Sequence, residues 1–384
     1  MEEMDLDAFD SLRIEGIRKT LINKENGVKV VGSYCTYFPR ELIIAAGAIP
    51  FGLCGTREVT AKIDLPQNLC PLIKSSYGQA ITDQCPYFSL ADLVIGETTC
   101  DGKKKMFEIL RSKGIKDVYV MHLPQMPEGN ASLYLLYEEL QKLKHYLETS
   151  FKIVITDEML REAIHITNEE KHSMQKLFDL NKATPPLISG MDILHITSQV
   201  KFTADCKESI RNIQDLTANI KARALSGYTA GNISAKRILL TGTPVGIGSE
   251  KVVRIVEEGG GIVVAMENCG GYKTIGLRID EDDSTDPLLL MAQKYLKIPC
   301  SVMSPNNLRI ELLKEMVRDF TIDGVIDLTW QACLTYSIES HFVSNIITKE
   351  LDLPYLQIET DYSQSDIENL RVRIEAFLEM IPNR

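Results

Sequence analysis

Short apolar runs alternate with longer amphipathic ones through the first third of the chain. VKVVG (28–32), IPFGL (49–53), LVI (93–95) and VYVM (118–121) are continuous apolar stretches of strand length. Continuous rather than alternating hydrophobicity marks strands buried on both faces, as in parallel sheets. An amphipathic segment over 7–22 leads in, and further helical segments lie between the strands. One opens at Pro39 and closes at Gly47, since proline suits a first helical turn and glycine a helix end. Others run from Cys70-Pro71 to about 81 and over 103–113, while Cys85-Pro86 starts a short turn. From 129 to 224 the strands stop and helices follow over 131–152, 156–180, 190–200 and 205–225, with a break at Pro185-Pro186. The alternation then resumes, with strands at 237–240, 262–266, 324–328 and 355–358 and helices at 249–258, 287–297, 307–320 and 364–380. The pattern predicts an α/β protein of two doubly wound, parallel-sheet, Rossmann-like domains joined by a helical connecting segment. At 384 residues the chain suits two cores, which we divide at 1–190 and 191–384.

Cysteines punctuate this pattern. Cys35, Cys100, Cys269 and Cys333 each follow an apolar strand through a small turn. Such a turn lies at the carboxyl edge of an open sheet, where α/β proteins present their ligand sites. It also lies near a helix N-terminus, whose unpaired N–H groups favour a thiolate. A lone cysteine there is usually a small core residue; four at strand exits point to a metal or iron–sulfur site. The chain has nine cysteines and no CxxC pair, so zinc ribbons and ferredoxin-type runs are poorly supported. Any metal site must be assembled from distant segments. Cys206, amid polar residues in a predicted helix, reads as incidental.

Charge and motif content narrow the field. The net charge of −11, with no basic stretch interleaved with aromatics, argues against nucleic acid as a partner. No run of 18 apolar residues exists, and the acidic beginning of the chain has no apolar core of a signal peptide, so a cytoplasmic protein is expected away from membranes. Nine thiols there are not a disulfide framework. Lys103, Lys104 and Lys105 form either a solvated face or a contact for an anionic partner. The turn from Thr241 to Gly248 matches neither GxGxxG nor the P-loop, and reads as a tight backbone approach to a cluster or a thioester substrate. The histidines show no HExxH spacing, and no GxSxG elbow is present.

Longer stretches carry a resemblance. SYCTYFPREL, LCPLIKSSYG, CPYFSLADLVIGETTCDGKKKMFE, ENCGG, SPNNLRIELLKEM and DGVIDLTWQACLTYSIES are similar to the 2-hydroxyacyl-CoA dehydratase / benzoyl-CoA reductase superfamily, over nearly the whole chain. Within it the chain looks nearest to the single-subunit branch that includes the double-cubane cluster proteins. The resemblance implies an iron–sulfur cofactor, either a 4Fe–4S cubane or a linked double cubane (8Fe–9S). A cubane held by three cysteines would use the matching Cys35, Cys100 and Cys333. A double cubane needs more thiols, for which Cys70, Cys85 and Cys269 are candidates, with Cys54 and Cys300 in reserve. It also implies an ATP-hydrolysing iron–sulfur activator protein that injects a low-potential electron, consistent with the lack of a Walker motif here. In the dehydratases that electron makes a ketyl radical from a 2-hydroxyacyl thioester, which then loses water. A homodimer, or a heterodimer with a related subunit, is expected. Glu97 and Glu267, each close before a candidate ligand, are candidate proton relays, or else caps of their turns. The leading expectation is a cluster-dependent reductase or dehydratase component. The alternatives are a non-catalytic electron-transfer or partner subunit, and a zinc- or nucleotide-dependent protein sharing the fold.

Overall fold

A computed structural model describes residues 12–53, 55–59, 63–200 and 203–382. Cys54 and the first residues of the helix expected at 7–22 lie outside the described residues. The first half runs α1 (Leu12–Glu25), β1 (Val30–Ser33), α2 (Arg40–Ala45), β2 (Ile49–Gly52), α3 (Pro71–Ile81), α4 (Pro86–Leu90), β3 (Leu93–Glu97), α5 (Asp101–Ser112) and β4 (Asp117–Met121). Four helices follow: α6 (Asn130–Phe151), α7 (Asp157–Phe178), α8 (Gly190–Val200) and α9 (Cys206–Leu225). The second half is β5 (Lys236–Gly242), α10 (Lys251–Glu258), β6 (Gly261–Met266), α11 (Tyr272–Ile275), α12 (Pro287–Leu296), α13 (Asn307–Asp319), β7 (Gly324–Trp330), α14 (Leu334–Asn345), β8 (Tyr355–Thr360) and α15 (Ile367–Met380).

The strands form two four-stranded sheets, ordered β2-β1-β3-β4 and β6-β5-β7-β8, with every pairing parallel. The two orders are the same permutation. In each, the chain winds outward in opposite directions from its first strand, so a switch point lies between β1 and β3 and another between β5 and β7. The inner strands are buried at nearly every residue, which is why they read as unbroken apolar runs. Of the edge strands, β4 and β8 are partly exposed, whereas β2 and β6 are buried. The expected α/β class, with two Rossmann-like parallel sheets and a helical connection, is what the chain forms.

Packing ties the halves together. α12, from the second half, lies against α6, and its Leu288, Met291 and Tyr295 join the apolar cluster of Val31, Leu42 and Ile95. The Tyr295 hydroxyl donates to the Phe38 carbonyl at 2.8 Å and to Glu41 Oε2 at 2.7 Å. Arg237 opens β5 but is buried. Its guanidinium donates to the carbonyls of Phe320, Ala183 and Asn181, pinning the stretch that follows α7 to the second sheet.

Three local readings are corrected. The helix α14 was not expected from the sequence, and residues 86–90 make a helix rather than a turn. The turn after β5 does make tight backbone contacts, but with the chain itself. A Cβ on Gly246 would lie 2.9 Å from Thr56 Cγ2, and Thr56 Oγ1 donates to the Ile247 carbonyl. Gly242 needs its freedom: its φ is +104° and a Cβ would sit 2.1 Å from the Leu328 carbonyl oxygen. Among the described residues no helix is long and apolar enough to cross a membrane.

Candidate functional site

The carboxyl ends of both sheets deliver cysteines. Cys35 lies two residues beyond β1 and Cys100 three beyond β3, while Cys269 follows β6 and Cys333 follows β7. Cys70 and Cys300 come from the start of α3 and the loop after α12. All six are free thiols; Cys70 is buried and the other five are half-buried.

The six fall into two sets of three. Cys35, Cys269 and Cys300 lie close enough for their charges to act on one another. Cys70 meets Cys333, whose thiol donates toward it, and feels the charge of Cys100. Each set draws on both halves of the chain. A hydrogen bond between Ser301 Oγ and Thr335 Oγ1, 3.0 Å, joins the loops that carry Cys300 and Cys333. Asn306 donates to the Cys300 carbonyl at 3.0 Å and to Glu339 Oε1 of α14 at 2.5 Å, fixing the same junction. Ala332, at φ +60°, makes the left-handed step that brings the chain to Cys333.

The two sets compensate negative charge differently. Cys70, Cys100 and Cys333 are the N-caps of α3, α5 and α14, so three helix N-termini meet there. The Cys333 thiol and the N–H groups of Leu72 and Ile73 hold the Cys70 thiol below its ordinary value against the effect of burial. The other set faces buried ammonium groups. Burial pushes the Cys35 thiol up, and Lys103 opposes it; burial pushes Cys300 up to about 12, against the pull of Lys273.

Both lysines belong to fixed networks. Lys103 Nζ lies 3.0 Å from Glu97 Oε2, and burial raises the Glu97 carboxyl despite that partner. Lys273 is fully buried, 3.3 Å from Glu267 Oε1, and donates to the Tyr336 hydroxyl at 2.5 Å. Glu267 Oε2 accepts from Thr241 at 2.6 Å and lies 3.3 Å from Arg309 Nε, while Arg309 also pairs with Glu339. Burial alone would raise the Glu267 carboxyl; Lys273 and Arg309 hold it below its ordinary value.

Placement of the candidates is mixed. Cys35, Cys100 and Cys333 divide between the sets, with Cys269 beside Cys35 and Cys70 beside Cys100 and Cys333. Cys85 stands apart: its Sγ caps its own helix α4, accepting from Phe88 N at 3.4 Å, inside the apolar core. Cys300, held in reserve, sits with the first set. Cys206 is the first residue of α9 rather than mid-helix, and Arg40 Nη2 reaches its Sγ at 3.3 Å. Lys104 and Lys105 pair with Asp101 and Glu108 at the surface, whereas Lys103 turns inward. The sequence reading placed Lys103 on a solvated face or an anionic-partner contact rather than beside the thiols, and did not reveal Lys273 or Arg309; the available signals were Lys103 three positions after Cys100 and Lys273 four after Cys269.

The donor sets suit iron–sulfur chemistry. Among the described residues no three His, Cys, Asp or Glu groups converge on a single metal ion. A cubane is wider than an ion and spreads its thiolates around itself. Three soft thiols per set, with cations or helix N-termini to offset an anionic cluster, fit that requirement. Polar atoms beside the thiols also stay unspent: Thr36 Oγ1, Asn268 Nδ2 and Glu97 Oε1 are buried without a hydrogen-bond partner.

Comparison with known proteins identifies the family. The family described as 2-hydroxyglutaryl-CoA dehydratase, D-component, matches residues 35–381. The Escherichia coli (strain K12) protein YjiM, provisionally named a dehydratase subunit, is 42% identical over 98% of this chain and 97% of its own. The (R)-phenyllactyl-CoA dehydratase beta subunit of Clostridium sporogenes is 25% identical over 93% of each chain. A benzoyl-CoA reductase subunit of Thauera aromatica is 21% identical over 92% of this chain and 91% of its own. The chain belongs to the 2-hydroxyglutaryl-CoA dehydratase D-component family, within the 2-hydroxyacyl-CoA dehydratase / benzoyl-CoA reductase superfamily.

Proposed function

We propose that this protein is the iron–sulfur component of a reductase or 2-hydroxyacyl-CoA dehydratase, fed by an ATP-hydrolysing activator. The observation that carries the reading is the division of six thiols into two sets of three, each drawn from both halves of the chain. Cys35, Cys269 and Cys300 would hold one cubane and Cys70, Cys100 and Cys333 the other, a pairing suited to a linked double cubane and the single-subunit branch. When bound, such a group supplies low-potential single electrons, and a cubane with only three protein thiolates leaves an iron position for another ligand.

The chain's own residues set the surroundings. Lys103 and Lys273 offset negative charge at the first set, and the N-termini of α3, α5 and α14 do so at the second. Glu97, raised by burial, is suited to hold a proton beside Cys35, while Glu267 orients Lys273 toward the Tyr336 hydroxyl. Half-buried thiols leave the site reachable by a small substrate.

The relatives' names favour a second reading, since they are subunits of larger enzymes. In that case this chain carries electrons for a catalytic partner, and substrate turnover with activator and ATP requires the second subunit. Anaerobic purification with iron and sulfide counts and EPR tests the main proposal. About eight irons per chain are expected for two cubanes and about four for one. Cys100→Ala and Cys269→Ala should each lower the iron content, whereas Cys85→Ala and Cys206→Ala should not. Equal iron in all four variants would refute the ligand sets.

A further inference from the structure

The buried tyrosines Tyr37, Tyr336 and Tyr362 stand close enough to the thiols to feel their charge. Two of them spend their hydroxyl protons on the backbone. Tyr37 donates to the Ile298 carbonyl at 3.0 Å, and Tyr362 to the Gly55 carbonyl at 2.9 Å. Tyr336 does not. Its oxygen accepts from Lys273 Nζ at 2.5 Å, and among the described residues no atom, thiols included, accepts its proton. A phenol hydroxyl has one proton to give, and a buried donor rarely goes unpaired.

The surroundings of that proton narrow what can take it. Lys273 Nζ and the Arg309 guanidinium lie 4.8 and 5.0 Å from the centre of the Tyr336 ring, and both can only donate. Glu267 can accept, but its two oxygens face Lys273, Arg309 and Thr241. Burial aside, the groups that act most on the Tyr336 hydroxyl are the Cys269 and Cys300 thiols. Two further unspent polar atoms flank the same set: Thr36 Oγ1 follows Cys35 in the chain, and Asn268 Nδ2 precedes Cys269. The Lys273 ammonium occupies the hydroxyl oxygen from one side, so the proton must point away from it.

We propose that Tyr336 donates a hydrogen bond to the sulfur of the cluster that Cys35, Cys269 and Cys300 hold, with Lys273 as the positioning residue that turns the proton that way. The proposal rests on the reading of those thiols as cluster ligands, and extends it to a neutral donor beside them. Such a hydrogen bond favours the reduced, more negative state and so raises the potential.

The test uses the full chain with its iron–sulfur cluster reconstituted in D2O. Pulsed ENDOR of the reduced protein detects exchangeable deuterons coupled to the cluster, and an EPR-monitored redox titration gives the midpoint potential. Tyr336→Phe keeps the ring and removes the proton. It should lose one coupled deuteron, and reduction should become about three- to tenfold less favourable, about 30–60 mV for one electron. A merely structural tyrosine would change unfolding stability and move neither readout. Placing 3-fluorotyrosine at position 336 keeps the hydroxyl and makes it a stronger donor. That protein should keep the deuteron and show a raised midpoint, which tests the proposal even where Tyr336→Phe binds little iron. A deuteron retained in iron-loaded Tyr336→Phe would overturn the proposal. So would a midpoint that does not fall in that variant, or one that 3-fluorotyrosine does not raise. A wild-type chain that takes up no iron would instead sink the ligand reading, and this proposal with it.

Discussion

Removing the Lys273 ammonium tests how the second sheet accommodates charge away from water. Lys273, Arg309, Glu267 and Glu339 bring two cations and two anions into one buried group. Lys273→Met leaves that group one negative charge in excess. Glu267 Oε1 then loses the cation 3.3 Å away, and the Tyr336 hydroxyl loses its donor. Breaking a buried pair from one side costs about 3–5 kcal/mol. The lower end, about 3 kcal/mol, is expected, because Oε2 keeps Thr241 and Arg309. Adding Glu267→Gln restores neutrality and retains an acceptor for Thr241. The double variant should therefore be less destabilised than the sum of the singles, by about 2 kcal/mol. Urea unfolding of the cluster-free chain measures the four stabilities, followed by the fluorescence of Trp330, the chain's single tryptophan, buried on β7. Additive losses would refute the charge-balance argument.

Three further outcomes are expected. Burial pushes the Glu257 carboxyl up to about 7, against hydrogen bonds from the N–H groups of Gly190 and Met191, whereas unfolded it titrates near 4.5. Between those values the native chain binds more protons than the unfolded one, so stability falls as pH rises through the window, by at most about 3 kcal/mol. Glu257→Gln should flatten that slope in unfolding midpoints taken from about pH 5 to about pH 8. Gly271→Ala places a Cβ 1.9 Å from the Met266 carbonyl oxygen and should displace the Cys269 turn, seen as lost iron or lost folded protein; Gly270→Ala, with its nearest atom at 3.6 Å, should be tolerated. Arg40→Met strands the buried Glu170 and should cost about 3 kcal/mol in thermal unfolding, while Cys206→Ser should stay within about 1 kcal/mol.

Strand and helix order was legible because burial on both faces leaves an unambiguous apolar run, and Cys-Pro marks a helix start. The same local signal serves different ends, however. Cys70-Pro71 and Cys85-Pro86 both open helices, yet Cys70 faces Cys333 while the Cys85 Sγ caps α4 within the core. What separates them is which sheet lies opposite, and no local pattern encodes that. The grouping of thiols was hidden for the same reason, as it depends on how the two sheets face each other. α14 escaped detection because its polarity is inverted: the inner face holds Glu339 and Ser340, and the outer face holds Leu334, Ile338 and Phe342. A periodicity argument expects the reverse.

The two-plus-one origin of each thiol set has a mechanical consequence. The amino-terminal half supplies Cys35 to one set and Cys70 with Cys100 to the other, and the carboxyl-terminal half supplies the remainder. Neither half can finish a set alone, so inorganic cofactor would act as a double rivet across the seam. Oxygen that dissolves such rivets would undo more than redox function: the seam would be left to protein contacts such as those of α12, Tyr295 and the Thr56 turn, and proteases should find it sooner than in the loaded protein.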